Sequence, residues 1–132
     1  MYNKYLQKPC AISIEEANQC FSEIYEATRN NEDELLREVW TDFVASCCSY
    51  ARMRAEWFSL TREERIVKDS LRTAAHNKVI DAHTILYRYM EKVGLNTRWK
   101  DVLGYQPVDK MPRTRLGDFA CYVALFLGLD AR

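Results

Sequence analysis

The chain has 132 residues, 19 basic and 19 acidic side chains with no net charge, 48% hydrophobic residues, and only four Gly and three Pro. That length fits a single domain, 1–132, with a real core, and the composition excludes a disordered or fibrous chain. The neutral balance removes any global field that would draw the chain to nucleic acid or to a membrane surface.

The N-terminal stretch MYNKYLQKPC has no apolar run of the signal-peptide kind. Residues 1–43 hold nine acids against four bases, so an acidic N-terminal part is expected to lie against a basic remainder. Three capping boxes mark helix starts, each pairing a short polar side chain with a Glu three residues later: Ser13 with Glu16, Asn31 with Glu34, and Thr61 with Glu64. The first opens a helix to about Thr28, with Ile14, Ala17, Phe21, Ile24, Tyr25 and Thr28 at helical spacing. The second opens a longer helix to about Phe58, with a stripe of Leu36, Val39, Trp40, Phe43, Cys47, Tyr50, Trp57 and Phe58.

The third box opens one long helix over 61–93, stopped by Gly94, with Val67, Leu71, Ala75, Val79, Ala82, Leu86, Met90 and Val93 as its expected core stripe. A short helix follows between Thr97 and Gly104. A last helix is expected from near Pro112 to Gly128, with Leu129 folding back on Leu125. FACYVALFLGL, residues 119–129, is far shorter than the roughly 20 residues of a membrane span and reads as a buried core helix. No strand-period segment or internal repeat is visible. The expected fold is all-α, a four-helix bundle of antiparallel tendency with a short extra helix before the last one.

Both histidines, His76 and His83, fall on the third helix within about 20° of each other, on the edge of the apolar stripe beside Asp69 and Tyr87. Seven residues separate them by roughly 10 Å along the axis, too far for one metal ion, so no metal site is expected. Each is expected to be hydrogen-bonded at the core boundary, and a ligand pocket or enzyme site beside Asp69, His76, His83 and Tyr87 is an alternative. Arg54 projects into the apolar stripe of the second helix, and Asp118 sits among the apolar residues of the last. A buried charge is costly unless paired, so Asp118 is expected to pair with Arg54 or another arginine, Arg88 or Arg115. Gly117, Cys121, Ala124 and Gly128 form a strip of small residues that lets another backbone come close, placing the last helix at the centre of the bundle or at a dimer interface.

Residues 98–115 interleave bases with aromatics: Arg98, Trp99, Lys100, Tyr105, Lys110, Arg113 and Arg115. Such a segment can serve nucleic acid or an acidic partner, although the spacing suits no helix-turn-helix. There is no glycine-rich phosphate loop, no metal-spaced cysteine pair and no nucleophile motif. The five cysteines (Cys10, Cys20, Cys47, Cys48, Cys121), odd in number and without CxxC, fit reduced thiols in a cytoplasm.

Over residues 72–132, the segments HNKVIDA and RYM, Trp99 followed by LG, RTRLGDFACY and GLDAR resemble a family of small uncharacterised all-helical proteins from Gram-positive bacteria. The resemblance implies a bacterial cytosolic helical protein and carries no activity with it. The expected role is an interaction or regulatory module without a catalytic constellation or cofactor, binding another macromolecule or itself, a homodimer included, and not a membrane. A nucleic-acid-associated protein using residues 98–115 is the alternative.

Overall fold

A computed structural model gives the fold over residues 12–57, 59–103, 105–108 and 111–128, which are the described residues. The fold is all-α, and among the described residues five helices carry most of it: α1 (Ile14–Arg29), α2 (Glu34–Trp57), α3 (Arg62–Lys92), α4 (Trp99–Val102) and α5 (Arg115–Phe126). The exception is a short antiparallel ribbon, β1 (Tyr105–Val108) with β2 (Met111–Thr114), in which Pro107 faces Pro112. Both strands carry a proline, which removes a ladder donor, and the run is too short to show a period of two in the sequence. The ribbon displaces the start of α5 from the expected Pro112 to Arg115.

Two of the three expected caps form as full capping boxes, Ser13 with Glu16 on α1 and Thr61 with Glu64 on α3. The third is shifted. Asn31 Oδ1 accepts the backbone N–H of Asp33, and Asp33 caps α2 by accepting from the N–H groups of Leu35 and Leu36 at 3.0 and 3.2 Å. Tyr89 of α3 donates its hydroxyl to the other Asp33 oxygen at 2.6 Å. These bonds, that of Tyr89 foremost, hold the Asp33 carboxyl below its ordinary pKa. Asp33→Ala and Tyr89→Phe are each expected to lower the melting temperature by a few degrees, followed by circular dichroism. Because both remove the same bond, the double variant is expected to melt close to Asp33→Ala alone, and simple additivity would deny the coupling.

Residues 62–92 form one unbroken helix of 31 residues, about 46 Å long. It ends in a Schellman turn: Leu95 N–H bonds to the Met90 carbonyl, and Gly94 adopts a φ of +82° that a side chain would strain. Its core stripe differs from expectation. Val79, His83, Leu86 and Met90 are buried, whereas Val67 and Leu71 stand in solvent, as do Ile66 and Ile85. The expected stripe advances in steps of four, which drift around the helix by about 40° each, so its first members leave the face that α2 covers.

The most extensive helix contacts are those of α2 with α3 and with α5. Along the first of these, Asp33 meets Tyr89, Phe43 meets His83, Tyr50 meets His76, and the carbonyl of Trp57 accepts from Arg65. The core is filled by Ile24, Leu36, Phe43, Leu86, Met90, Trp99, Leu103 and Phe119, among others. In α5 every residue from Leu116 to Ala124 is buried, small strip and apolar face alike, as a helix enclosed on all sides requires. Leu129 and Phe58 lie outside the described residues. Among the described residues, no helix is long and apolar enough to cross a membrane.

Candidate functional site

Polar or unusual surroundings occur in three places: a polar cluster under α5, the pocket of rings around His83, and the outer face of α3. The first is built where α2 and α5 pack. Arg54 Nη2 meets Asp118 Oδ1 at 2.7 Å, with side chains 12% and 7% exposed, and Arg54 Nη1 donates to Cys121 Sγ at 3.6 Å. Arg54 is therefore the partner of Asp118, while Arg88 is exposed and Arg115 donates to the carbonyl of Val102 at 3.4 Å. Burial alone would lower the guanidinium pKa, and the proximity of Cys121 and Asp118 outweighs it and raises the value.

Tyr50 and His76 complete this region, their rings 5.3 Å apart. Burial pushes the Tyr50 hydroxyl up and, with Arg72 and Arg54 nearby, pushes the His76 imidazole down, so both are neutral near pH 7. Arg72 lies over the ring of Trp57 at 4.8 Å. A neutral histidine beside tyrosine and arginine could serve proton transfer. The guanidinium, however, is already engaged by Asp118 and Cys121, and neither Cys47 nor Cys20 is an activated nucleophile: burial raises the Cys47 thiol well above its usual value and lifts Cys20 to about 11.

The expected pocket of Asp69, His76, His83 and Tyr87 is not one place. Asp69 is exposed and meets Arg72 at 3.4 Å, and His76 packs tilted against Tyr50. His83 lies a further two turns along α3, 6% exposed, among the rings of Phe43, Tyr87 and Trp99 at centroid distances of 6.1, 5.3 and 5.6 Å. Its Nε2 is buried with no hydrogen-bond partner among the described residues, so the expected hydrogen bond is not made at that nitrogen. Burial holds its pKa at about 4, so the ring is neutral. Among the described residues, no group of three or more His, Cys, Asp or Glu side chains converges as a metal site would require.

The basic and aromatic residues of 98–115 do not gather into one described surface. Trp99 is fully buried and its indole N–H donates to the Asn96 carbonyl at 3.1 Å, so it is a core residue and offers no face to a base. Lys100 is tied to Glu91 at 2.6 Å and lies over the Tyr87 ring. Arg98 is exposed, Arg113 is placed only as the backbone partner of Gln106 in the ribbon, and Lys110 lies outside the described residues.

The outer face of α3 is what remains, and sequence reasoning missed it by assigning Val67 and Leu71 to the core. Ile66, Val67 and Leu71 are 69%, 76% and 56% exposed on the N-terminal half of the helix. That half is held to α2 along one edge, by Arg65 donating to the Trp57 carbonyl and by Arg72 on the Trp57 ring. The sequence signal was present in the drift of the four-residue spacing. No family model, curated protein or solved structure matches the chain, so a functional reading rests on these residues.

Proposed function

We propose that this chain is a helical interaction or regulatory module, non-enzymatic and cytoplasmic, that works by binding another macromolecule or itself. The observation that carries the reading is the solvent-facing Ile66, Val67 and Leu71, adjacent apolar side chains on a helix otherwise well supplied with charge. Grouped apolar side chains of this kind mark interaction surfaces, whereas single ones need no explanation. Reduced thiols at Cys20, Cys47, Cys48 and Cys121 support a reducing compartment. The order of contacts between α2 and α3, from Asp33 with Tyr89 to Trp57 with Arg65, supports an antiparallel four-helix bundle as the scaffold. The resemblance of residues 72–132 to helical proteins of Gram-positive bacteria fits this scaffold and adds no activity. The burial of Trp99 takes away a ring on which a base of single-stranded nucleic acid could stack, which favours this reading over such binding by residues 98–115.

The test compares tagged wild type with Ile66→Glu/Leu71→Glu, purified under identical conditions from the cells that make the protein. Both positions are exposed, so the variant is expected to fold as the wild type does. Proteins recovered with the wild type and lost with the variant, untagged copies of the chain included, are the expected result. Identical recoveries from two equally helical proteins would remove the reading.

A further inference from the structure

Along the outer face of α3, eight exposed residues follow a strict alternation of four and three: Val67, Leu71, Ala74, Lys78, Asp81, Ile85, Arg88 and Lys92. This is the spacing of a coiled-coil seam, in which a residue every 3.5 positions stays on the line of contact with a partner helix. It is distinct from the buried stripe of Val79, His83, Leu86 and Met90, which the fold already uses. Among the described residues, the two charged members at its middle, Lys78 and Asp81, have no ion pair.

Resting on the interaction reading above, we propose that this seam pairs antiparallel with the same seam of a second copy, about a two-fold axis between Val79 and Ile80. In that register Lys78 of each copy faces Asp81 of the other, so two opposite-charge pairs flank the axis. Ala74 faces Ile85 on either side, small against large. Leu71 and Val67 meet the aliphatic stems of Arg88 and Lys92, whose charged ends reach solvent. The flanks agree. One sets Asn77 near Thr84 and Ser70 near Glu91; the other lies toward this chain's own core and holds the half-buried Ala75, Ala82 and Tyr89 with the exposed Lys68, so no like charges oppose each other.

Charge complementarity is what selects a second copy over another partner. A two-fold interface must be self-complementary, each residue and its opposite number appearing twice. The order along this seam of apolar, basic, acidic, apolar satisfies that requirement only when the helices run in opposite directions. In-register parallel pairing would set Lys78 against Lys78 and Asp81 against Asp81, and like-charge juxtaposition disfavours that arrangement.

Sedimentation of the full chain over a concentration range of about 1–300 µM tests this, since dimerisation is a mass-action property. The wild type is expected to dimerise within that range. Lys78→Asp and Asp81→Lys are each expected to weaken the dimer at least about tenfold, and the two together to restore it to within about threefold, because the swap rebuilds both pairs with reversed polarity. All these positions are solvent-facing, and circular dichroism checks that each variant keeps its helicity. A wild type that stays monomeric throughout overturns the proposal, as does a dimer indifferent to both single reversals or one that the double swap does not rescue. A monomer that still recovers partners lost on Ile66→Glu/Leu71→Glu overturns the dimer while the interaction reading stands, and a monomer with no such partners removes both.

Discussion

Asp118→Ala is expected to destabilise the protein by about 3–5 kcal/mol, the cost of leaving a buried guanidinium without its counter-charge. The magnitude follows from the pair's setting: a 2.7 Å contact between side chains that are 12% and 7% exposed, in a helix whose residues 116–124 are all buried. Water cannot easily replace the carboxylate there, and Cys121 Sγ accepts from one further N–H of Arg54. Since a domain of this size is stable by about 5–15 kcal/mol, the substitution removes a large share of the total. Asp118→Leu combined with Arg54→Met is expected to recover most of the loss, because well-packed apolar residues can replace a buried pair at little or no cost. Denaturant unfolding of the wild type, Asp118→Leu, Arg54→Met and their combination measures the coupling. An Asp118→Ala protein within about 1 kcal/mol of the wild type would show that the pair carries little stability.

The second large effect is a loss of stability on mild acidification, centred on His83. Its folded pKa of about 4 lies below the ordinary 6.5, so between those values the unfolded chain binds a proton that the folded one refuses. Stability therefore rises with pH across this window and is lost as pH falls through it, by about 3 kcal/mol at the full extent. The cause is visible: an imidazole enclosed by Phe43, Tyr87 and Trp99 with a buried Nε2 that has no partner. His83→Leu is expected to flatten most of the profile between pH 7 and pH 4.5, leaving a small slope from His76, whose pKa is also lowered. At pH 7 the variant is expected to be more stable than the wild type by about 1 kcal/mol, since it removes a desolvated polar atom. Asp33 and Glu64, held below their ordinary values, lose their contribution only at lower pH, so they do not blur the window. An unchanged acid profile in His83→Leu would place the sensitivity elsewhere.

Helix starts were legible wherever one short polar residue stood alone three positions before a Glu, as at Ser13 and Thr61. At residues 31–34 the sequence NEDE offers two competing caps, and the aspartate won because Tyr89, distant in sequence, bonds to it. The single long α3 was legible because nothing between Arg72 and Lys78 breaks a helix, and the ribbon was not, since its pairing is set by backbone with two prolines opposed. The misplacement of Arg54 and Asp118 in apolar surroundings is a local property and could be read. Their pairing depends on how α2 and α5 cross and could not be read, so three arginines remained eligible. His83 was read at the core boundary when it lies inside, an error with the same origin as the misassigned Val67 and Leu71: a stripe followed in fours rotates away from the face that packs.

The enclosure of α5 has a consequence for how the protein comes into being. Residues 115–126 are made after α1–α4, and they supply side chains against which α1, α2 and α3 pack. While they are still unsynthesised, α2 and α3 can pair, yet Phe43, Cys47 and Arg54 face the space that Phe119, Asp118 and Cys121 will occupy. Until α5 emerges, a paired α2 and α3 would present a partly apolar groove with a cation at its edge, so the packing of this core waits on α5.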